Sequence, residues 1–371
     1  MPLSLSRLLT RLSAGLVILS AVAATSPASA QSLDEMAGQM ILVGFQGDSV
    51  SDASIIELRD EIAAGGIGGV MYLKTNVASL KAVKAMNAAF LAASPGLPPF
   101  IALDQEGGLV ERLTKDVGFP ETPSAADVAA ANSPAGARQV YGKMADGIAA
   151  NGFNLNFGPV ADLNVNKSNP VIAKYGRSFS DKVSAVVDYD LAFITAHHAA
   201  DVLTAIKHFP GHGSSTGDTH EGFVDVTGTW KQAELDVFRD LVETSQIDMV
   251  MSAHIYNADY DPDGSGVPAS LSRVWIEDVL RGELGYQGVV ITDDLEMGAV
   301  LKHYPLEDRI KRAVLAGADI LLFSNTARPR QSIGADIRKI LVAAAEADPA
   351  VRARIEQSYK RIVALKQRLK N

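Results

Sequence analysis

Between Lys207 and His220 the chain reads KHFPGHGSSTGDTH, which sets three histidines, a lysine and an aspartate among three glycines. Side chains of these types can ligate a metal, surround a phosphate or exchange protons with a substrate. A solvated surface loop is the alternative that does no chemistry. Asp218 and His220 stand two apart, so on a loop they can come within hydrogen-bond reach. The carboxylate then fixes one ring nitrogen and leaves the other to exchange a proton near neutral pH. Further along, the Asp293–Asp294 pair offers a carboxylate for nucleophilic attack or ion pairing.

Which of these residues meet depends on the elements that carry them. Eight short, apolar, β-branched-rich runs recur: MILVGF (40–45), GIGGVMYL (66–73), FIALD (100–104), FNLNFGPV (153–160), TAIKHF (204–209), MVMSAHI (249–255), GVVITD (288–293) and DILLFS (319–324). Near-continuous hydrophobicity marks parallel strands buried on both faces. Amphipathic segments such as SLKAVKAMNAAFLAA and TWKQAELDVFRDLVE lie between them, several starting at Ser or Thr and stopping at Gly. The alternation predicts α/β architecture, a single (β/α)₈ TIM barrel over residues 31–371. A doubly wound sheet would show G-x-G-x-x-G after its first strand, where GFQGDS stands instead. No phosphate-binding G-x-x-x-x-G-K-[ST] occurs either.

In such a barrel the chemistry collects at the C-terminal strand ends. Asp104, Lys207 with His208, His254, and Asp293 with Asp294 all fall there. A metal-dependent barrel hydrolase is one reading of the histidines. Against it, the first three runs hold no His, and Lys207 would put a cation beside any ion bound at His208. His197 and His198 fall in a helical pattern. The acid/base reading fits better: Pro210 and the glycines at 211, 213 and 217 predict a mobile lid over the barrel mouth. A carboxylate below a sugar-sized pocket and a proton donor above it form a glycosidase arrangement, with His in place of the usual second carboxylate.

The stretch KHFPGHGSSTGDTH resembles the K-H-F-P-G-H-G-x₄-D-[ST]-H signature of glycoside hydrolase family 3 β-N-acetylglucosaminidases of the NagZ type. LDQEGGLVERL, GRSFS and LRGELGYQGVVITDDLEMGA are similar to further stretches of that family, in the same order. The resemblance implies Asp293 as nucleophile, His220 as general acid/base and Asp218 as its orienting partner. It implies Asp104, Arg112, Arg177, Lys207 and His208 as ligands of a terminal N-acetylglucosamine, with no metal or organic cofactor. Some members of the family pass the sugar to phosphate, so phosphorolysis is an alternative. Leu109 stands where many relatives carry Arg, and Gly176 directly precedes Arg177 rather than lying one residue earlier. A binding protein that kept the barrel without turnover is the non-enzyme reading, and a nucleophile would be of no use to it.

Arg7 and Arg11, the apolar LSAGLVILSAVAA and the ASA at 28–30 predict a cleaved signal peptide over residues 1–30, hence a periplasmic or secreted enzyme. Removing a segment with two Arg and no acid takes the net charge from −9 to −11. So acidic a chain is not built for nucleic acid or for anionic lipid, and no membrane association is expected after cleavage. There is no Cys, so no disulfide and no thiol for lipid attachment. The expected partner is a small carbohydrate substrate, bound by a monomer. The substrate would be peptidoglycan fragments or chitin-derived oligosaccharides. The last segment, RARIEQSYKRIVALKQRLKN, predicts a helix that packs Ile355, Tyr359, Ile362 and Leu369 on the barrel with its charges solvated.

Overall fold

The computed structural model describes residues 31–370 apart from Pro95. The expected signal peptide lies outside the described residues. From Ser32 onward the chain is one compact unit.

Each of the eight apolar runs contains a strand: β1 (Ile41–Gly44), β2 (Gly69–Tyr72), β3 (Phe100–Leu103), β4 (Leu155–Asn156), β5 (Leu203–Phe209), β6 (Met249–Ser252), β7 (Val289–Thr292) and β8 (Leu321–Phe323). They pair in parallel in the order β8-β1-β2-β3-β4-β5-β6-β7. The ends of that row meet through a parallel bridge between Ile291 and Ile320, and the Leu295 N–H donates to the Leu322 carbonyl at 2.9 Å. The sheet therefore closes into the expected barrel. Every residue of the eight strands is buried. That is why the runs are largely apolar: one face meets the barrel interior and the other meets helices. Each fully buried aliphatic or Phe side chain contributes about 1.5–3 kcal/mol.

The helices lie between strands as the capping residues indicated. Ser79 accepts the Ala82 N–H at the start of Leu80–Ala93, and Ser133 caps Pro134–Ala150, whose first position is Pro. Gly317, at φ +107°, ends Leu306–Ala316 and turns the chain into β8. Two differences from the sequence reading have physical causes. The run 153–160 forms only a two-residue strand, because Gly158 and Pro159 follow and Pro has no N–H for a ladder. The run 249–255 divides: β6 stops at Ser252, while Ile255–Tyr256 pairs with Val224–Asp225 in a separate two-stranded sheet. That small sheet joins the loop after β5 to the loop after β6. In the C-terminal helix Pro349–Gln367, Ile355 and Ile362 are buried as expected, but Tyr359 is only half-buried and Lys366 is fully buried. The Lys366 ammonium donates to Gln39 Oε1 and the Gly68 carbonyl under the barrel, so this charge is not solvated.

Candidate active site

A cavity of about 470 Å³ opens at the C-terminal ends of the strands. Met71, Phe157, Met251 and Leu322 close its floor on the barrel interior. All eight residues singled out from the sequence line it: Asp104, Arg112, Arg177, Lys207, His208, Asp218, His220 and Asp293.

One wall is a chain of ion pairs. Lys207, the last-but-two residue of β5 and 2% exposed, reaches Asp104 Oδ1 at 2.7 Å and Glu106 Oε1 at 2.6 Å. Asp104 Oδ2 accepts from Arg112 Nη2 at 2.7 Å, and Arg177 grips both oxygens of Glu106 at 2.8 and 2.9 Å. Burial works against both carboxylates, but Lys207 and Arg112 hold Asp104, and Arg177 and Lys207 hold Glu106, well below the usual carboxylate range. His208 donates from Nδ1 to Asp162 Oδ2 at 2.7 Å, which leaves Nε2 facing Arg177 Nη2 at 3.4 Å. Asp162 Oδ1 also takes the backbone N–H of His212 at 2.7 Å, so one buried carboxylate fixes both histidines at the end of β5.

At the end of β7, the two aspartates of the pair differ. The Asp293 N–H donates to the Ser252 carbonyl, and Asp293 Oδ1 accepts the Asp294 N–H at 2.8 Å. Burial opposes ionisation of Asp293, yet the neighbouring His254, His208 and His220 outweigh it and lower its pKa. Asp294 is raised by burial, and its Oδ1 is taken by the Ser324 and Glu296 N–H groups at 2.9 and 3.0 Å. Asp293 is thus the more acidic of the two and Asp294 a bracket between loops. His254 stands behind both, bonded through Nδ1 to Ser270 Oγ at 2.6 Å and through Nε2 to the Asp294 carbonyl at 2.8 Å.

On the opposite side, Asp218 Oδ1 lies 2.7 Å from His220 Nδ1, with the ring 68% exposed at the cavity mouth. The expectation of a mobile lid requires correction. Pro210–Ser215 is buried. Gly213 approaches the Leu163 carbonyl so closely that a Cβ would stand 1.8 Å from it. The Asn169 amide donates to the His212 and Gly213 carbonyls, and Ser214 N–H donates to Glu234 Oε2. Even the dyad is tied, since the Ala299 and Gly298 N–H groups donate to the Thr219 and His220 carbonyls at 3.0 and 3.1 Å. Here the glycines permit close backbone packing as much as freedom.

Glu106 and Asp162 were not singled out from the sequence. Glu106 carries a signal, lying two residues after Asp104 in DQEGG, and Asp162 follows the fourth apolar run. Among the described residues, no three His, Asp or Glu side chains are grouped to hold a metal ion.

The family model described as glycosyl hydrolase family 3 N terminal domain matches residues 32–365. A β-hexosaminidase of Stenotrophomonas maltophilia is 35% identical over 296 residues, 76% of this chain and 82% of the relative. The structure of a family 3 β-N-acetylglucosaminidase from Paenibacillus sp. superposes with a TM-score of 0.83 at 33% identity, over 92% of this chain and 63% of that one. A β-N-acetylhexosaminidase structure from Beutenbergia cavernae gives 0.80 at 31% identity, over 91% of this chain and 99% of that one. The chain therefore spans some relatives almost end to end and about three fifths of others.

Proposed function

The chain belongs to glycosyl hydrolase family 3, and on that premise we propose that it is a retaining exo-β-N-acetylglucosaminidase. It removes terminal, non-reducing N-acetylglucosamine through a covalent glycosyl–Asp293 intermediate. The observation that carries this reading is a part-buried Asp293, its pKa lowered by the neighbouring histidines, sharing one cavity with the Asp218–His220 pair. His220 Nδ1 is committed to Asp218, so Nε2 is the proton-carrying atom. Nε2 protonates the glycosidic oxygen while Asp293 attacks the anomeric carbon through an oxocarbenium-like transition state. The neutral imidazole then removes a proton from water, which releases the sugar with its configuration retained.

The ion-pair wall binds the sugar. Asp104, the donors of Arg112, Arg177 and Lys207, and His208 Nε2 meet its hydroxyls and acetamide; because these side chains already hold one another, little reorganisation is needed on binding. The substrates are peptidoglycan fragments or chitooligosaccharides met outside the cytoplasm. Proton NMR of the first sugar released from p-nitrophenyl N-acetyl-β-glucosaminide, whose leaving group is not a sugar, tests the chemistry: β-N-acetylglucosamine should appear before mutarotation. An initial α-anomer would mean inversion and no glycosyl–Asp293. Parallel assays on muropeptides rank the substrate classes, and sugar 1-phosphate formed in phosphate buffer would favour phosphorolysis.

A further inference from the structure

One wall of the cavity is charged and polar, but part of its rim is not. Tyr175 lines the cavity and remains 37% exposed. It ends the short turn Ala173–Tyr175, and Gly176, at φ +62°, reverses the chain behind it. That reversal turns Arg177 inward onto Glu106 and leaves the Tyr175 ring at the mouth. Beside it runs a second apolar ridge. A Cβ on Gly176 would meet Ser124 Oγ at 2.9 Å, and one on Gly108 would meet Ser124 Cβ at the same distance. Ser124 thus lies between the two turns, and Leu109, 76% exposed, follows Gly108 directly, with Val110 lining the cavity. Lys174 Nζ sits 5.1 Å from the centroid of the Tyr175 ring, covering one face.

We propose that Tyr175 is a specificity-determining residue: its free face, with Leu109 and Val110 beside it, stacks against the pyranose ring of the aglycone. This rests on the exo-glucosaminidase reading. The cavity closes below on the barrel interior, so a terminal sugar held at the floor leaves only the mouth for the aglycone on the far side of the scissile bond. A second pyranose meets the rim there. It carries a C–H face that suits an aromatic ring, whereas its hydroxyls would find few partners on Leu109 and Val110. Binding energy gained at that remote ring is then available for the reacting centre.

The test compares kcat/KM for N,N′-diacetylchitobiose with that for N-acetyl-β-glucosaminyl azide, whose leaving group has no ring. Tyr175→Ala should lower the chitobiose-to-azide ratio about tenfold, the size of one aromatic contact. Tyr175→Phe keeps the ring and should hold the ratio near that of the wild type. An unchanged ratio in Tyr175→Ala, with the wild type active on both substrates, overturns the stacking role alone. A wild type that cleaves neither substrate overturns the parent reading and the proposal with it.

Discussion

Asp218 Oδ1 accepts both the ring Nδ1–H and the backbone N–H of His220, at 2.7 and 2.8 Å. One oxygen therefore fixes the tautomer, the ring orientation and the local backbone at once. The pair is exposed, so its coupling to the chemistry must come from position rather than from a buried charge.

If Nε2 of His220 is the acid, the damage from removing it depends on the leaving group. His220→Ala should lose about 10³-fold on chitobiose, whose sugar alkoxide needs a proton, and far less on the nitrophenyl glycoside. Asp218→Asn should show the same pattern at smaller size, because the ring stays but its orientation and basicity are weakened. A leaving-group series on wild type and both variants checks this, and equal losses for good and poor leaving groups would remove His220 from the acid role.

The two carboxylates of the Asp293–Asp294 pair should separate cleanly. Asp293→Ala should fold and lose several orders of magnitude in kcat, since covalent catalysis has no substitute in the cavity. A 2-fluoro sugar should label the peptide at Asp293. Asp294→Ala should instead lower thermal stability, because it removes the oxygen that accepts the Ser324 and Glu296 N–H groups, and should keep measurable turnover. Mass mapping of the label to Asp294 would reverse the assignment.

The strands and the charged residues at their ends were legible because both depend on local sequence. A buried parallel strand must be largely apolar, so its first charged residue marks the barrel mouth, as at Asp104, Lys207 and Asp293. Asp162 was not legible. It comes after the run broken by Gly158 and Pro159, and its meaning comes from His208 and His212, which lie far along the chain. The anchoring of the glycine loop was hidden for a related reason. Sequence shows that Gly213 lacks a Cβ, but only the fold shows the Leu163 carbonyl occupying that space. Lys366 reads as a surface charge on its helix until Gln39 and Gly68, from the other end of the chain, close over it.

Arg177 should not tolerate lysine. Its guanidinium bonds both oxygens of Glu106, donates to the Val171 carbonyl and approaches His208 Nε2. An ammonium cannot reproduce that fork. Arg177→Lys should lower kcat/KM for chitobiose about 10- to 100-fold, the loss expected when a buried charge pair of roughly 1.5–3 kcal/mol is broken. Kinetics within twofold of the wild type would show that the fork is dispensable.

Activity should survive prolonged dialysis against EDTA. Among the described residues no three His, Asp or Glu side chains are grouped to hold a metal ion, and His254 is engaged through both ring nitrogens. Loss of turnover on chelation, with recovery on adding zinc, would instead support a metallohydrolase.

Glu234 should make stability fall as pH rises through neutrality. It is 1% exposed beneath the loop, accepts the Ser214 N–H at 3.1 Å and leaves no room for a Cβ at Gly211. Burial raises its pKa from 4.5 to about 7, against the opposing pull of those N–H donors. The folded state therefore favours the protonated acid. The resulting stabilisation is fully present below about pH 4.5 and is lost progressively as pH rises to about 7, where the folded protein also ionises. Glu234→Gln has no proton to lose and still offers a carbonyl oxygen to Ser214. Its melting temperature should gain on that of the wild type between pH 4.5 and 7 and stay ahead above it. Thermal unfolding of both proteins across that range measures the difference. Parallel curves would show that Glu234 does not change its proton occupancy on folding.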